Sequence, residues 1–366
     1  MKKITFKNGV RLTSALCILA IVFGVLFINS CSKNTHSNTV QTTVQQKSTK
    51  EAPAVTAVPL QQNEPQNHLV KVANIRLAAD GINHEVMFNE LAELFTVYDA
   101  TALASLEEAF NKGQLISVLV NPWSATILKA DAASASQISM HSASQVNTDP
   151  GTAYKVDLSN TNDDDINHVP EQAVLNTTTP GLVNVIPDMA TAQMMFDYIA
   201  HQCCALGGPF TIDHCISFQY CEDGCYARAH KMCWIINNKY NYGTHKIFSF
   251  ANAGSDRLSV KCEKWLGCCV TWWYHVAPIV NIKTPGGVKA YVFDPAMFDQ
   301  PVLLATWLHA QENPACSSTP HVSMINIQPT SSYWPSGSTG YLFGTDPLYT
   351  STNSTLISYA PLHTCY

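Results

Sequence analysis

The segment 221–232 contains the residue best suited by type and position to covalent chemistry, Cys225. Apolar residues follow it at the helical spacing i, i+3, i+4 and i+7: Ala229, Met232, Cys233 and Ile236. This spacing predicts a helix from about Cys225 to Asn237, with Asp223 as its N-cap and Gly224 leaving room for close approach. The unpaired N–H groups and the positive dipole end of a first helical turn favour a thiolate and can hold an oxyanion. Cys225 is therefore predicted to be a nucleophile.

The sequence leaves two other roles open for Cys225. In a cysteine-rich region it can be a structural half-cystine, for example bonded to Cys221. It can also form a redox pair with Cys221, although three residues separate the two rather than the usual two. The structural role requires Cys225 to be oxidised.

A predicted antiparallel hairpin follows this helix. The long apolar run 270–280 contains His275, one of eight histidines after residue 200. The turn sequence Thr-Pro-Gly-Gly at 284–287 comes next, and a second apolar run follows at 288–293. Strand, Pro-Gly turn and strand are typical of a hairpin.

The register of this hairpin brings a carboxylate towards the histidine. If 284–287 form a four-residue loop, Asp294 faces Ala277, and the two-residue period of a strand puts His275 on the same face. His275 and Asp294 then become diagonal neighbours whose side chains can hydrogen-bond. The alternatives are a structural histidine and an ordinary strand-ending Asp-Pro turn.

Cys225, His275 and Asp294 together supply the parts of covalent acyl transfer: a thiolate, an imidazole and a carboxylate that orients the imidazole. Their order along the chain, with the helix before the hairpin, resembles the papain-like transglutaminase architecture. The aromatic residues 272–274 either line the approach to this site or belong to the core.

The sequence predicts no metal and no cofactor. Cys268, Cys269 and the scattered histidines lack the paired spacing of zinc ligands, and the chain has no glycine-rich phosphate loop. The net charge of -6 gives no basic surface, so nucleic acid is not an expected partner.

The cysteines divide the chain of 366 residues into two parts. None lies between Ser32 and Gln202, whereas 11 of the 13 follow residue 200. This distribution predicts an exported, disulfide-bonded domain at the C-terminal end. If one of the 11 is a free catalytic thiol, the remaining ten are an even number, as full pairing requires.

Residues 1–31 read as a lipoprotein-type signal peptide. Basic residues precede the apolar run 12–28, which ends in small residues before Cys31. Cys31 is the expected site of a lipid anchor, which would be the only link to a membrane. Cleavage by an ordinary signal peptidase and a single membrane-spanning helix are the alternatives.

The middle of the chain predicts a tether, a small α+β module and a linker. Residues 32–67 are rich in Ser, Thr, Gln and Asn and are interpreted as a flexible tether. The module, 68–131, combines a strand at 73–77, a helix through 88–95, a second helix and a strand at 115–120. The second helix is capped by Asp99 and ends before Gly113.

Residues 132–181 are polar and are interpreted as an exposed linker that a protease can cut. The domain 182–366 opens with a helix that begins at Pro187-Asp188. Its predicted buried face consists of Ala192, Met195, Phe196 and Ile199. This layout is that of a zymogen, although two independent domains joined by a linker would look the same.

Four segments resemble the bacterial protein-glutaminase family. Residues 223–232 (DGCYARAHKM), 268–277 (CCVTWWYHVA) and 294–298 (DPAMF) are similar to the three catalytic blocks of that family. Residues 185–191 (VIPDMAT) resemble the start of its mature enzyme. Cysteines at 203–204, 221 and 233 depart from the family pattern and leave the disulfide pairing open.

The resemblance implies an α+β, papain/transglutaminase-like catalytic domain, with a Cys-bearing helix packed on an antiparallel sheet, preceded by a small α+β pro-domain. It implies that Cys225 is the nucleophile, His275 the general acid/base and Asp294 its orienting partner. The expected reaction converts protein-bound glutamine to glutamate and ammonia. Expected partners are glutamine-bearing proteins or peptides, the chain's own pro-domain as an inhibitor, and an activating protease.

Three competing functions remain on the sequence alone. A transglutaminase uses the same triad but resolves the thioester with a lysine amine. A cysteine peptidase needs a groove for extended backbone. A disulfide-rich surface binding module has no chemistry and requires Cys225 to be oxidised, which a thiol titration detects.

Overall fold

The computed structural model describes residues 64–122, 124–142, 154–158, 181–204, 215–251, 256–337 and 342–364. The predicted signal peptide and nearly all of the predicted tether lie outside these ranges. Within the ranges, every helix is too short or too polar to cross a bilayer. The class is mixed α+β, as predicted.

The N-terminal unit is a small sheet closed on itself with one helix packed against it. Its elements are β1 (Gln66–Leu77), β2 (His84–Phe88), β3 (Leu91–Val97), α1 (Ala100–Lys112), β4 (Leu115–Asn121) and β5 (Thr126–Ala132). The strand order is β2-β1-β4-β5-β3, and β2 also pairs with β3, so the strands form a ring. Its core includes Val86, Phe88, Phe95, Leu106 and Val118.

Helix α1 and strand β4 confirm the predictions for this part of the chain. Asp99 accepts a hydrogen bond from the Ala102 backbone N–H, 2.7 Å away, and so caps the helix. Gly113 ends it in the left-handed region at φ 61°, which a glycine adopts without steric penalty.

The helix predicted through 88–95 is wrong: these residues form the hairpin of β2 and β3. Strand β3 is buried on both faces, so its apolar residues do not alternate with polar ones. Phe88 and Phe95 pack into the core of the N-terminal unit. Ala92 and Leu94 pack into the other core of the molecule, which also contains Cys225. The apolar residues of this hairpin are therefore divided between two cores, and their spacing resembles that of one helical face.

The C-terminal unit contains the strands β6 (Tyr154–Asp157), β7 (Val185–Ile186), β8 (His245–Phe250), β9 (Leu258–Lys261), β10 (Cys269–Trp272), β11 (Tyr274–Thr284), β12 (Gly287–Val292), β13 (Val302–Leu303), β14 (Met324–Gln328), β15 (Ser332–Pro335) and β16 (Phe343–Thr345). A second sheet has the order β13-β12-β11-β8-β14-β6, with β7 paired to β11, while β10 and β9 extend the first sheet and β15 pairs with β16. The remaining helices are α2 (Ala135–Ser142), α3 (Met189–Ala200), α4 (Cys225–Tyr240), α5 (Leu304–His309) and α6 (Thr350–Tyr359). The predicted face of α3 is confirmed, since Ala192, Met195, Phe196 and Ile199 are all buried. Helix α4 packs across β11.

Two stretches of the predicted linker 132–181 form regular secondary structure that the sequence analysis did not predict, and the first of them is mostly exposed. Residues 135–142 form α2, and β6 is an edge strand that pairs with β14 through Val156 and Ile325. A four-residue edge strand is held by backbone hydrogen bonds to one neighbouring strand. Because it needs no run of apolar residues, the sequence contains no pattern that predicts it.

The two units share a continuous sheet. Strand β3 pairs with β10 at Glu93 and Trp272, and the Trp273 N–H donates to the Ala92 carbonyl at 3.0 Å. Beside this junction, the Glu85 carboxylate binds both Arg76, at 2.9 Å, and Arg257.

Disulfides occur in the C-terminal unit, as predicted from the distribution of the cysteines. Cys204 is bonded to Cys215 and Cys269 to Cys316, and Cys268 is also disulfide-bonded. Within the described ranges, free thiols include those of Cys221, Cys225, Cys233 and Cys262.

Candidate active site

The hairpin of β11 and β12 positions the histidine and the carboxylate. Its register pairs Ile279 with Val292, which is the register expected from the turn, although Pro285 and Gly286 alone form the loop. His275 Nε2 lies 2.8 Å from Asp294 Oδ2, and both side chains are buried. The prediction that the two meet is confirmed.

Two tryptophans fix this pair. The His275 ring lies between Trp272, at a centroid distance of 4.3 Å and an interplanar angle of 11°, and Trp307, at 5.4 Å. Trp307 Nε1 also donates to Asp294 Oδ2 at 2.9 Å. Trp307 was missed by the sequence reasoning because it lies on the short helix α5, outside every recognisable motif. The ring plane and the carboxylate are therefore both held in place.

The proton of this pair lies on the imidazole Nε2. Burial lowers the pKa of His275, with the Asp294 charge opposing that effect. Burial alone would raise the pKa of Asp294, but its interaction with His275 and the hydrogen bond from Trp307 bring that pKa below its usual value. A neutral imidazole that donates from Nε2 to a carboxylate carries its lone pair on Nδ1. His275 Nδ1 is buried and has no hydrogen-bond partner, so it is available as a base.

Cys225 is the first residue of α4, and no side chain caps this helix. The N-cap is Gly224, at φ 82°, and not Asp223 as predicted. A β-carbon on Gly224 would lie 2.8 Å from the Tyr359 ring, so both backbone conformation and space require glycine here. The first-turn N–H groups are thus left without a side-chain cap, as an oxyanion site requires.

Asp223 has a different role from the predicted cap. Its Oδ1 accepts the Ala92 backbone N–H at 2.7 Å, and its Oδ2 accepts the hydroxyls of Tyr359 at 2.7 Å and Tyr226 at 3.2 Å. Asp223 therefore links the N-terminal unit to the residues just before the nucleophile.

The Cys225 side chain is a free thiol beside β11. It is 2% exposed, is not part of a disulfide, and is hydrogen-bonded to the backbone N–H of Val276, the residue after His275. The prediction of a reduced cysteine is confirmed. The prediction of a thiolate is wrong for this form of the protein, because burial raises the pKa of Cys225 more than Arg228 lowers it. Desolvation here outweighs the helix terminus.

The start of β3 packs into the same buried core as Cys225. Ala92 is 0% exposed, and its backbone bonds to Asp223 on one side and to Trp273 on the other. Trp273 Nε1 also donates to the carbonyls of Leu91, at 2.8 Å, and Phe88, at 3.1 Å. The N-terminal unit thus reaches the residues around Cys225.

Comparisons with known proteins point to one family. A family model described as "Glutaminase" matches residues 192–311. The crystal structure of pro-protein-glutaminase has a TM-score of 0.60 and 25% identity, covering 82% of this chain and 95% of that chain. The chain belongs to the protein-glutaminase family.

As a member of the protein-glutaminase family, the chain is an amide-hydrolysing enzyme. The NMR structure of protein-glutaminase from Chryseobacterium proteolyticum is 35% identical to it, covering 50% of this chain and 93% of that chain, with a TM-score of 0.43. No curated protein matches.

This protein-glutaminase family member has a buried acidic cluster where its two units meet. Glu93 of the N-terminal unit faces Glu222 and Asp223 of the C-terminal unit. Burial raises the pKa of Glu93 and Asp223, and it raises the pKa of Glu222 to about 7. The contact between the two units therefore favours the protonated forms of these three carboxyl groups.

Arg228 supports the loop in front of the nucleophile. Its Nη1 donates to the carbonyls of Asp223 at 2.6 Å and Tyr220 at 2.8 Å, and the side chain is buried. The sequence analysis included Arg228 in a motif without assigning it a role. A charged residue one turn after Cys225, on the buried side of the helix, was the available signal.

Proposed function

We propose that this chain is the precursor of a protein-glutamine deamidase in which Cys225 is the nucleophile, His275 the general acid/base and Asp294 its orienting partner. The observation that carries the assignment is the free Nδ1 of His275, whose ring is held by the Nε2 bond to Asp294, on the residue next to Val276, whose backbone N–H bonds the Cys225 thiol. The catalytic domain is papain/transglutaminase-like, with the Cys-bearing helix packed on an antiparallel sheet.

The reaction proceeds in two halves. His275 Nδ1 accepts the Cys225 proton, and the sulfur attacks the side-chain amide carbon of a protein-bound glutamine. First-turn N–H groups of α4 stabilise the oxyanion, and His275 then protonates the leaving ammonia. Water, deprotonated by His275, hydrolyses the thioester and leaves glutamate.

The N-terminal unit acts as an intramolecular inhibitor. The proposed divisions are a signal peptide at 1–31, a tether at 32–67, a pro-domain at 68–131 and a cleavable linker at 132–181. A protease that cuts the linker releases the catalytic domain, 182–366. The precursor is exported, with a lipid anchor at Cys31, and the mature domain is secreted. Support comes from the hairpin at Ala92, which bonds on both sides of the site and shares the buried core of Cys225.

The test compares trimmed protein on a glutamine-containing protein and on free glutamine. Ammonia and new glutamate residues are expected with the protein, and little or none with the free amino acid. Cys225→Ala must be inactive, while Cys233→Ala, at another buried free thiol, keeps activity. Incorporation of an added amine faster than hydrolysis would instead establish a transglutaminase, and peptide fragments would establish a peptidase.

A further inference from the structure

Two buried thiols outside the proposed catalytic triad lie against each other in the C-terminal unit. Cys221 and Cys262 are both free, they are 1% and 4% exposed, and their side chains are hydrogen-bonded to each other. Cys221 lies in the loop that leads to Cys225, and Cys262 lies in the turn between β9 and β10. The proposed deamidation uses neither sulfur.

The backbone holds Cys221 in position. Its N–H donates to Thr364 Oγ1 at 2.6 Å, and its carbonyl accepts from Trp272 Nε1 at 3.1 Å. Its Sγ lies 3.9 Å from the carbonyl oxygen of Ala296, which also accepts Trp265 Nε1 at 3.0 Å.

Cys262 is held as firmly in its turn. Its N–H donates to the Cys268 carbonyl at 2.8 Å, and its own carbonyl accepts the N–H groups of Trp265 at 2.8 Å and Gly267 at 2.9 Å. Both sulfurs are therefore held within hydrogen-bonding reach of each other by backbone that is already fixed, which brings together the two atoms that a disulfide joins.

We propose that Cys221 and Cys262 close a disulfide when the protein meets an oxidising thiol–disulfide buffer, and that this bond anchors the loop before the nucleophile to the β9–β10 turn. Cys262 borders a cavity of about 240 Å³ together with Ala296 and Phe298, whereas Cys221 does not, and so we assign the first exchange step to Cys262.

The chemistry balances as thiol–disulfide exchange with oxidised glutathione. The deprotonated sulfur of Cys262 attacks one glutathione sulfur, which forms a mixed disulfide and releases one glutathione thiolate. The deprotonated Cys221 sulfur then attacks the sulfur of Cys262 and releases the second. Two electrons pass to the oxidant, and the two protons of the cysteine thiols go to the two released glutathiones. The bond would also prevent Cys221 from pairing with Cys225, which remains reduced.

Peptide mapping tests the proposal directly. The full chain is incubated with oxidised glutathione, unfolded in the presence of iodoacetamide and digested without reduction. A peptide pair joined through Cys221 and Cys262 is expected, absent after reduction, while Cys225 carries the alkyl label. Alkylation of both Cys221 and Cys262, or a bond from Cys221 to Cys225, would overturn the proposal.

A thermal comparison of alanine variants provides a second test. In oxidised protein, Cys221→Ala and Cys262→Ala should each lower Tm by roughly 10 °C, because either one removes the cross-link. The double variant should lower Tm by much less than the sum of the two single losses, because both single variants remove the same bond. Cys233→Ala, a buried thiol outside the pair, is the matched control and should show the same Tm before and after oxidation. Additive losses in the double variant would contradict a shared bond. Because neither measurement reads deamidation, the result does not depend on the proposed function.

Discussion

His275 Nε2 lies 2.8 Å from Asp294 Oδ2, and this contact leaves Nδ1 as the ring nitrogen without a partner. A neutral imidazole held in this way has its base aimed away from the carboxylate. The tautomer, and with it the direction of proton transfer, is therefore set by Asp294.

Asp294→Asn should abolish most of the activity. An amide can donate to Nε2, which favours the tautomer with the proton on Nδ1 and removes the base. We expect kcat of trimmed protein to fall about a thousandfold or more, with the fold retained. Asp299→Asn, at a largely exposed aspartate five residues further on, is the matched control. Near-normal ammonia release by Asp294→Asn would show that the carboxylate does not set the tautomer.

Trp307→Phe should shift the pH dependence of the reaction. The phenyl ring retains stacking against His275 but loses the N–H that donates to Asp294 Oδ2. Since this bond lowers the pKa of Asp294, its loss should move the acid limb of the kcat/KM profile to higher pH and reduce kcat by about tenfold. Trp234→Phe, at an exposed tryptophan, should leave the profile unchanged. An unaltered acid limb in Trp307→Phe would mean that the indole acts only by packing.

The N-terminal unit should bind the C-terminal unit more weakly as pH rises. Glu93, Glu222 and Asp223 have raised pKa values when docked, so docking takes up protons between their ordinary pKa values and the raised ones. For Glu222 that window runs from 4.5 to about 7. The docked state is thus favoured at acid pH and loses stability as pH increases through this window.

A cleaved complex of the two units provides the measurement. We expect Kd to be at least about tenfold higher at pH 8 than at pH 5. Glu93→Gln should flatten this dependence, since an amide does not titrate, whereas the exposed Glu107→Gln should leave it intact. Tighter binding at pH 8 would contradict the protonated arrangement. The groups that interact with the cluster and titrate or carry charge include Tyr220, Tyr226, Tyr274, Tyr333, Tyr359, Cys225, Cys262 and Arg228.

Gly224→Ala should lower the free energy of unfolding by more than the change in backbone conformation alone would. At φ 82° a side chain costs about 1–2 kcal/mol in unfolding free energy, and the contact 2.8 Å from the Tyr359 ring adds about 1–3 kcal/mol. Gly337→Ala has the same φ of 82° with nothing within 4 Å of the new β-carbon, so it isolates the backbone effect. Equal losses in the two variants by denaturant unfolding would exclude the Tyr359 contact.

Features set by neighbouring residues could be predicted from the sequence. Asp99 and Gly113 bound α1 because capping and left-handed backbone are local requirements. The Pro-Gly turn fixed the register of β11 and β12, and with it the meeting of His275 and Asp294.

Features set by distant parts of the chain could not be predicted. The hairpin 84–97 was interpreted as a helix because its strands serve two cores. Asp223 was assigned to a helix cap because its actual donor, the Ala92 N–H, lies 131 residues earlier. Residues of the same hairpin share the core of Cys225, where burial reverses the expected direction of the Cys225 pKa shift. Local signals thus located the proposed nucleophile but not the unit that covers it.

The reactivity of Cys225 before and after cleavage within 132–181 tests the central claim most directly. Limiting iodoacetamide at pH 7, with peptide mapping, should label Cys225 slowly in the intact chain and much faster after trimming. The fraction of Cys225 labelled should match the fraction of ammonia-releasing activity lost, while the buried Cys233 stays unlabelled. Equal labelling of Cys225 in both forms, or full activity after its complete alkylation, would contradict the account.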